Sequence, residues 1–275
     1  MSSGDGKRTG GEVVTVARLR AMKQAQQPVA CLTAYDYGFA AACERAGVDL
    51  VLVGDSLGMV VQGEETTLPV TVEDVVYHTR CVARGCRRAL VVADMPFMSH
   101  ADTETGLYNA GRLMKEGGAR MVKLEGGAEQ AALVERLAEN GIPVCGHLGL
   151  KPQRVHKLGG YRVQGRAEAE AAAMEADARA LEAAGADLLI LECVPAALAR
   201  HLSAQLSIPV VGIGAGAGCD GQILVLHDVL GVTEQPPRFA RDFGAQAGGV
   251  QQALAAYVEA VRTGAFPGAE HEFAV

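Results

Sequence analysis

The chain has 275 residues, of which 49% are hydrophobic and 21% charged, and this composition excludes a generally disordered protein. Its formal net charge of −7 argues against a protein held to nucleic acid by its own basic surface. The longest apolar stretches, such as Pro209–Cys219, fall well short of the roughly 20 residues that a membrane-spanning helix needs. We therefore expect a globular protein that binds neither nucleic acid nor a membrane.

The first twelve residues are rich in glycine and polar side chains. They contain no apolar segment of the kind found in signal peptides, so the sequence predicts a disordered tail at 1–12 and one folded domain at 13–275. Seven cysteines are scattered along the chain without a C-x-x-C pair. This pattern favours reduced thiols in a cytoplasmic protein over a disulfide framework or a zinc site.

Short apolar runs alternate with helix-like stretches along the rest of the chain. Because the runs are almost continuously apolar, they are typical of strands buried on both faces of a parallel sheet. The eight predicted strands are, in chain order, Val29–Ala34, Leu50–Val53, Leu90–Ala93, Met121–Leu124, Pro143–Gly146, Leu188–Leu191, Val210–Ile213 and Ile223–Leu226. The predicted helices that follow strands are Phe39–Ala46, Val72–Arg84, Glu104–Glu116, Ala128–Asn140, Ala167–Ala184, Ala196–Gln205 and Ala245–Arg262.

A further helix is predicted ahead of the first strand, at Thr15–Lys23, where it would close the floor of a barrel. Eight strand–helix units without a long linker predict an α/β protein, a single (β/α)8 TIM barrel with this extra N-terminal helix. A doubly wound open sheet is the alternative that the same alternation allows.

Acidic residues follow several of the predicted strands at the point where each strand ends. Asp55, Asp94 and Glu125 follow the second, third and fourth strands, and Glu192 follows the sixth. In a barrel these strand ends meet at the face that carries the active site, so we expect all four acids at one level and Asp55, Asp94 and Glu125, on neighbouring strands, in one cluster. Such a cluster must bind a cation or hold protons, and oxygen ligands suit a hard ion such as Mg²⁺. Helix capping or salt bridging by the individual acids is the alternative.

Lys123 lies two residues before Glu125, on the same side of its strand, where it could neutralise a substrate carboxylate. A pairing with Glu125 alone and imine chemistry at the lysine are the alternatives. Glu192, expected across the barrel from the predicted metal, is suited to act as a general base. For His147 a substrate contact and a purely structural role are both open.

Blocks of sequence that run in order through almost the whole chain resemble those of the ketopantoate hydroxymethyltransferase family. Among them are Gly54–Met59, Thr67–Thr71, Asp94–Met98, Val122–Gly127, Cys145–Leu150, Leu191–Pro195 and Asp220–Leu224. The resemblance implies a cytoplasmic barrel enzyme of pantothenate biosynthesis with Mg²⁺ as its cofactor. It also implies that the enzyme transfers a hydroxymethyl group from 5,10-methylenetetrahydrofolate to 3-methyl-2-oxobutanoate, forming 2-dehydropantoate through a Mg-stabilised enolate.

The same resemblance assigns roles to residues at the strand ends. The implied metal ligands are Asp55, Asp94 and Glu125. The implied contacts to the oxo acid are Asp55, Ser56, Asp94 and Lys123. Glu192 is implied as the proton acceptor, and the family typically assembles as a homo-oligomer, a decamer of barrels. Lys151 and Ala217 depart from the usual family pattern, in loops that could contact the folate.

Two other functions fit the strand-end acids taken alone. The first is a Mg-dependent barrel that forms an enolate without folate, such as an oxo-acid lyase or an aldolase. The second is a non-catalytic metal-binding or scaffold protein that has kept the fold. The intact set of acids together with Lys123 argues against the second function, and only the sequence blocks argue against the first.

Overall fold

Eight parallel strands close into a barrel in the computed structural model, which describes residues 12–274. The strands are β1 (Val29–Thr33), β2 (Leu50–Val53), β3 (Leu90–Asp94), β4 (Met121–Glu125), β5 (Val144–Gly149), β6 (Leu188–Glu192), β7 (Val210–Ile213) and β8 (Gly221–Leu224). Each strand pairs with the next, and β8 pairs with β1, which confirms the predicted barrel and excludes the open sheet. Apart from Glu12, the predicted tail at 1–12 lies outside the described residues.

Helices surround the barrel in the predicted order. They are α1 (Val16–Gln24), α2 (Tyr37–Ala46), α3 (Leu57–Val60), α4 (Val72–Gly85), α5 (Thr103–Lys115), α6 (Ala131–Glu139), α7 (Val155–Leu158), α8 (Glu168–Ala183), α9 (Ala196–Gln205), α10 (Leu226–Val229) and α11 (Val250–Arg262). Short 3₁₀ turns lie at Ala128–Gln130, Pro152–Arg154 and Ala269–His271. Every predicted helix is present, although α11 begins at Val250 and not at 245.

The one-turn helices α3, α7 and α10 were not predicted. Each has four residues and lies in a loop that follows a strand, so it is too short to show a helical period in the sequence. The strand β5 extends to Gly149, beyond its predicted end at Gly146. The strand β8 begins and ends two residues earlier than predicted, because the following residues form α10.

The helix α1 closes the amino-terminal end of the barrel, as predicted. Its buried residues Leu19 and Met22 pack into the same apolar cluster as the inward-facing side chains of the strands. Lys23 Nζ lies 2.6 Å from Oδ2 of Asp220, just before β8, and an Arg20 nitrogen lies 2.8 Å from Oδ1 of Asp187, just before β6. The apolar cluster and the two ion pairs hold α1 across the floor of the barrel.

Side chains alternate between the two faces of a strand, so this period determines which of them face the barrel interior at its mouth. In β4, Met121 belongs to the apolar interior cluster, so Lys123 and Glu125, two and four residues later, point inward as well. The same period places Asp94 above Val92 in β3 and Glu192 above Ile190 in β6. The barrel interior is therefore apolar at the floor and charged at the mouth.

The structure also tests what the sequence predicts about the cysteines and about membrane-spanning helices. All seven cysteines are free thiols, and five of them are buried, in agreement with the prediction. Among residues 12–274, no helix is both long and apolar enough to cross a membrane.

Truncating Leu19 tests the role of α1 as the barrel floor. Leu19 is fully buried, so the Leu19→Ala variant leaves a cavity and we expect it to lower the free energy of unfolding by about 2–5 kcal/mol. Gln24→Ala, at an exposed position of the same helix, serves as the control, with an expected change below about 0.5 kcal/mol. Equal effects of the two substitutions in urea unfolding would contradict this role for α1.

Candidate active site

A cavity of about 510 Å³ opens at the carboxyl ends of the strands. Its wall contains each of the predicted site residues, Asp55, Ser56, Asp94, Lys123, Glu125 and Glu192. His147, whose role the sequence left open, also lines the cavity. The expectation that the strand-end acids meet at one face of the barrel is therefore confirmed.

Lys123 and Asp94 form a buried ion pair at the centre of this wall. The lysine Nζ lies 2.8 Å from Oδ1 and 2.6 Å from Oδ2 of Asp94, and the two side chains are 5% and 1% exposed. Lys123 therefore pairs with Asp94, and the alternative of a pairing with Glu125 alone was wrong. The pairing arises from the strand register, because Asp94 of β3 lies beside Lys123 of β4.

The charges around Lys123 determine its protonation. Burial alone would lower the pKa of Lys123, but the carboxylates of Asp94, Asp55 and Glu125 outweigh burial and raise the pKa above the usual lysine range. Lys123 is therefore a fixed cation, whereas imine formation needs a neutral amine. This disfavours the imine alternative.

Asp55 is a buried carboxyl group beside this ion pair. Its backbone N–H donates to Oδ2 of Asp94 at 3.3 Å, and its own Oδ2 accepts from Nε2 of Gln153 at 2.9 Å. Burial and, after it, the negative charge of Asp94 raise the pKa of Asp55 to about 8. A carboxyl group in these surroundings is stabilised by a proton or by a bound cation.

The predicted metal ligands fit a site for a hard divalent cation. Asp55 and Asp94 are adjacent, and Oε1 of Glu125 is buried without a hydrogen-bond partner. Within residues 12–274, no three His, Cys, Asp or Glu side chains converge closely enough to form a metal cluster. Mg²⁺ is usually held by one or two protein carboxylates, with water and substrate oxygens as its remaining ligands. The donor set suits Mg²⁺ in this mode, and the three-residue ligand set stays a prediction.

His147 lies between Glu125 and Glu192 in the cavity wall. Its Nδ1 lies 3.5 Å from Oε1 of Glu125, and its Nε2 lies 3.2 Å from Oε2 of Glu192, although neither contact has hydrogen-bond alignment. Burial and the charge of Lys123 lower the pKa of His147, but the two glutamates outweigh them and raise it. The pKa of Glu125, which burial alone would raise, is lowered by His147 and Lys123. His147 thus links Glu125 electrostatically to Glu192.

Glu192 ends β6 and reaches into the cavity with a side chain that is 16% exposed, compared with 1% for Asp94. The backbone beneath it depends on Gly149 of the neighbouring strand. A Cβ atom at position 149 would lie 2.1 Å from the carbonyl oxygen of Glu192, and the φ angle of Gly149 is +90°. The next residue, Leu150, donates its N–H to that same oxygen at 2.8 Å. Only glycine allows this close approach, which fixes the backbone that carries Glu192.

Ser56 lines the cavity immediately before α3. Its Oγ lies 2.9 Å from Oη of Tyr35, and burial raises the pKa of Tyr35 well above the usual tyrosine range. The tyrosine is therefore a neutral phenol that can hydrogen-bond to the serine and orient it. No role was predicted for Tyr35 from the sequence.

Gln153 is a site residue that sequence reasoning missed. Besides its bond to Asp55, its Nε2 donates to the carbonyl of Met95 at 3.0 Å and its backbone N–H donates to Oε2 of Glu125 at 3.2 Å. Gln153 therefore holds two of the predicted metal ligands in place. Pro152 signals a turn at this point, but no local pattern shows that the next side chain reaches a partner 98 positions away.

Removing the charge of Asp55 tests the electrostatics of the cluster in metal-free protein. The pKa of Asp55 is about 8 in the folded state, against an ordinary value of 3.8, so the folded protein binds the proton more tightly. Its contribution is therefore fully present below about pH 4 and is lost as the pH rises to about 8, on the order of 1 kcal/mol per pH unit. We expect Asp55→Asn to flatten this decline in urea unfolding with a chelator present. The exposed Glu135→Gln serves as the control, and an undiminished decline in Asp55→Asn would contradict the assignment.

Solved structures show the same barrel fold at low sequence identity. A phosphonopyruvate hydrolase matches with a TM-score of 0.61 and 12% identity, over 80% of this chain and 84% of that chain. A phosphoenolpyruvate phosphomutase from Streptomyces platensis subsp. rosaceus matches with a TM-score of 0.60 and 16% identity, over 78% of this chain and 82% of that chain. At these identities the likeness concerns the fold alone.

Sequence relatives are far closer. The 3-methyl-2-oxobutanoate hydroxymethyltransferase of Halorhodospira halophila is 80% identical over 99% of both chains. The enzyme of the same name from Alkalilimnicola ehrlichii is 68% identical over 94% of both chains. The model of the ketopantoate hydroxymethyltransferase family matches residues 13–269. The chain therefore belongs to the ketopantoate hydroxymethyltransferase family and is an enzyme of the transferase class.

Proposed function

We propose that this enzyme transfers a hydroxymethyl group from 5,10-methylenetetrahydrofolate to 3-methyl-2-oxobutanoate, forming 2-dehydropantoate, with Mg²⁺ as its cofactor. The observation that supports this best is that the cavity wall carries a charged cluster and, apart from it, a more exposed carboxylate. A fixed cation and two acidic residues, Lys123, Asp94 and Asp55, form one cluster, and the more exposed Glu192 lies in the same cavity on β6. The names of the close relatives support the same oxo acid.

Lys123 and Ser56 would bind and orient the oxo acid. An ammonium group has three donors, and Asp94 takes two of those on Lys123, so the third is free for a substrate oxygen. A preorganised cation in a buried site stabilises negative charge that develops on the substrate far better than water does. The Ser56 hydroxyl, held by Tyr35, adds a second polar contact in the cavity wall.

Asp55, Asp94 and Glu125 would hold Mg²⁺, with Gln153 fixing two of them. When bound, Mg²⁺ supplies a Lewis acid that withdraws charge from the oxo acid and makes its C3 proton easier to remove. Asp55 would gain from the cation, because its burial and the nearby charge of Asp94 disfavour its charged form.

Glu192 would remove the C3 proton of the oxo acid. One of its oxygens, Oε2, lies beside His147, which leaves Oε1 for the substrate. The carbanion at C3 would then attack the methylene carbon of the donor, forming the new carbon–carbon bond as one of the two carbon–nitrogen bonds breaks. Water would replace the second carbon–nitrogen bond and leave its OH on the transferred carbon. The proton taken from C3 and the remaining proton of the water would go to the two nitrogens of the departing tetrahydrofolate.

Product formation tests the proposal directly. The protein is incubated with the oxo acid, Mg²⁺ and methylenetetrahydrofolate, and products are followed by NMR. We expect 2-dehydropantoate only when both the oxo acid and the donor are present. Products from the oxo acid without a donor would favour an oxo-acid lyase or aldolase, and no product at all would contradict the proposal.

The family resemblance also supports a cytoplasmic homo-oligomer, and we propose a decamer of barrels. Sedimentation of the purified protein would test this assembly, because a decamer has ten times the chain mass of 28.6 kDa. A monomer at working concentration would contradict it.

Replacing Glu192 with glutamine tests its role as the base. The substitution keeps the size of the side chain and removes its basicity, so we expect kcat for transfer to fall by roughly 10²–10⁴-fold with unchanged folding. The matched control is Glu135→Gln on the exposed face of α6, which should retain wild-type turnover. Near-normal turnover of the Glu192 variant would refute the assignment.

A further inference from the structure

The cavity extends well beyond the site for the oxo acid. Its volume of about 510 Å³ lies in the range of about 300–1,000 Å³ that is typical of pockets for drug-sized ligands, and the oxo acid is far smaller. The additional space lies against a wall formed by residues at and after the end of β8. We call Asp228, Arg238, Phe239 and Phe273 the β8 wall. In a barrel of eight strands β8 lies opposite β4, so Asp228 follows the strand opposite Lys123, whereas Phe239 and Phe273 lie over the loop after β7.

The β8 wall contains a buried carboxylate that the proposed reaction does not use. Asp228 is 6% exposed and lines the cavity. Its Oδ1 accepts a hydrogen bond from Oγ1 of Thr233 at 2.6 Å, whereas its Oδ2 accepts no hydrogen bond from the described residues. Burial raises the pKa of Asp228, a shift that Thr233 and His227 only partly offset. A ligand that donates to this carboxylate would relieve the cost of burying it.

The rest of the wall is aromatic, with a cation at its outer edge. Phe239 and Phe273 meet edge to face, with ring centroids 6.5 Å apart. They pack on Gly214, where a Cβ atom would lie 2.7 Å from the ring of Phe239, so the ring pair is held against the backbone. The exposed Arg238 places its guanidinium 5.8 Å from the centroid of Phe273, and its Nε donates to the carbonyl of Glu270 at 3.0 Å.

We propose that the β8 wall binds the one-carbon donor, a reduced pterin with an N-aryl glutamate tail, with the pterin on Asp228 and the glutamate on Arg238. The pterin carries a 2-amino group next to an N–H, and two adjacent donors of this kind suit a carboxylate. The aryl ring fits the aromatic pair, and the tail carboxylates suit a guanidinium. This orientation rests on the proposed function, because it supplies the donor for that reaction.

Steady-state kinetics with variants of the wall test this assignment. We expect Asp228→Asn to raise KM for methylenetetrahydrofolate by roughly 10–100-fold, the effect of losing a hydrogen bond to a charged group. KM for the oxo acid should stay unchanged. Arg238→Gln should raise KM for the same donor, and this effect should disappear with methylenetetrahydropteroate, which lacks the glutamate.

The control is Arg241→Gln, because Arg241 stacks on Phe243 and lies outside the cavity wall. It should retain wild-type KM values with both donors. Wild-type KM values for the donor in Asp228→Asn would overturn the assignment while leaving the proposed function intact. If Asp228→Asn does not fold, the assignment is tested by the KM values of Arg238→Gln for the two donors. An equal change in KM for methylenetetrahydrofolate and methylenetetrahydropteroate would overturn the assignment. A wild-type protein that forms no product with the donor would refute the proposed function, and the assignment with it.

Discussion

The buried ammonium group of Lys123 is the constraint on which the mouth of this barrel depends. Uncompensated buried charges cost several kcal/mol each, and Asp55, Asp94 and Glu125 are all buried around this one cation. Both oxygens of Asp94 lie within hydrogen-bond distance of Lys123. The register of β3 against β4 creates this pairing. The way the strands pair therefore determines the electrostatics of the site.

The barrel separates this charged mouth from an apolar floor. Inward-facing side chains are apolar from the floor formed by α1 up to the middle layer, and the next inward position on several strands is charged. The cavity therefore has charged groups at its mouth and an apolar base. The acids also differ in exposure, since Asp94 is enclosed whereas Glu192 reaches the open space. This difference suits one side of the cavity to hold a cation and the other to move a proton.

Much of this arrangement could be predicted from the sequence. Continuous apolar runs predicted all eight strands, and the acids that follow them predicted one cluster, because parallel strands bring their ends together. The residue that pairs with Lys123 could not be predicted, since it depends on the register between strands. Gln153 was missed because its contacts depend on a loop, whose path leaves no periodic signal. Asp228 is an acid that follows the eighth predicted strand, but sequence reasoning assigned it no role. The one-turn helix that carries Asp228 is likewise too short to show a helical period.

Removal of the C3 proton of a 2-oxo acid is the step that we propose for this cavity, and proton exchange measures that step directly. The protein is incubated in D₂O with 3-methyl-2-oxobutanoate and Mg²⁺, with and without tetrahydrofolate, which carries no transferable carbon. NMR then follows the C3 proton. We predict exchange that a chelator abolishes, because the acids around Lys123 would hold the cation and Glu192 would carry the proton. An unexchanged C3 proton under both conditions would contradict this account.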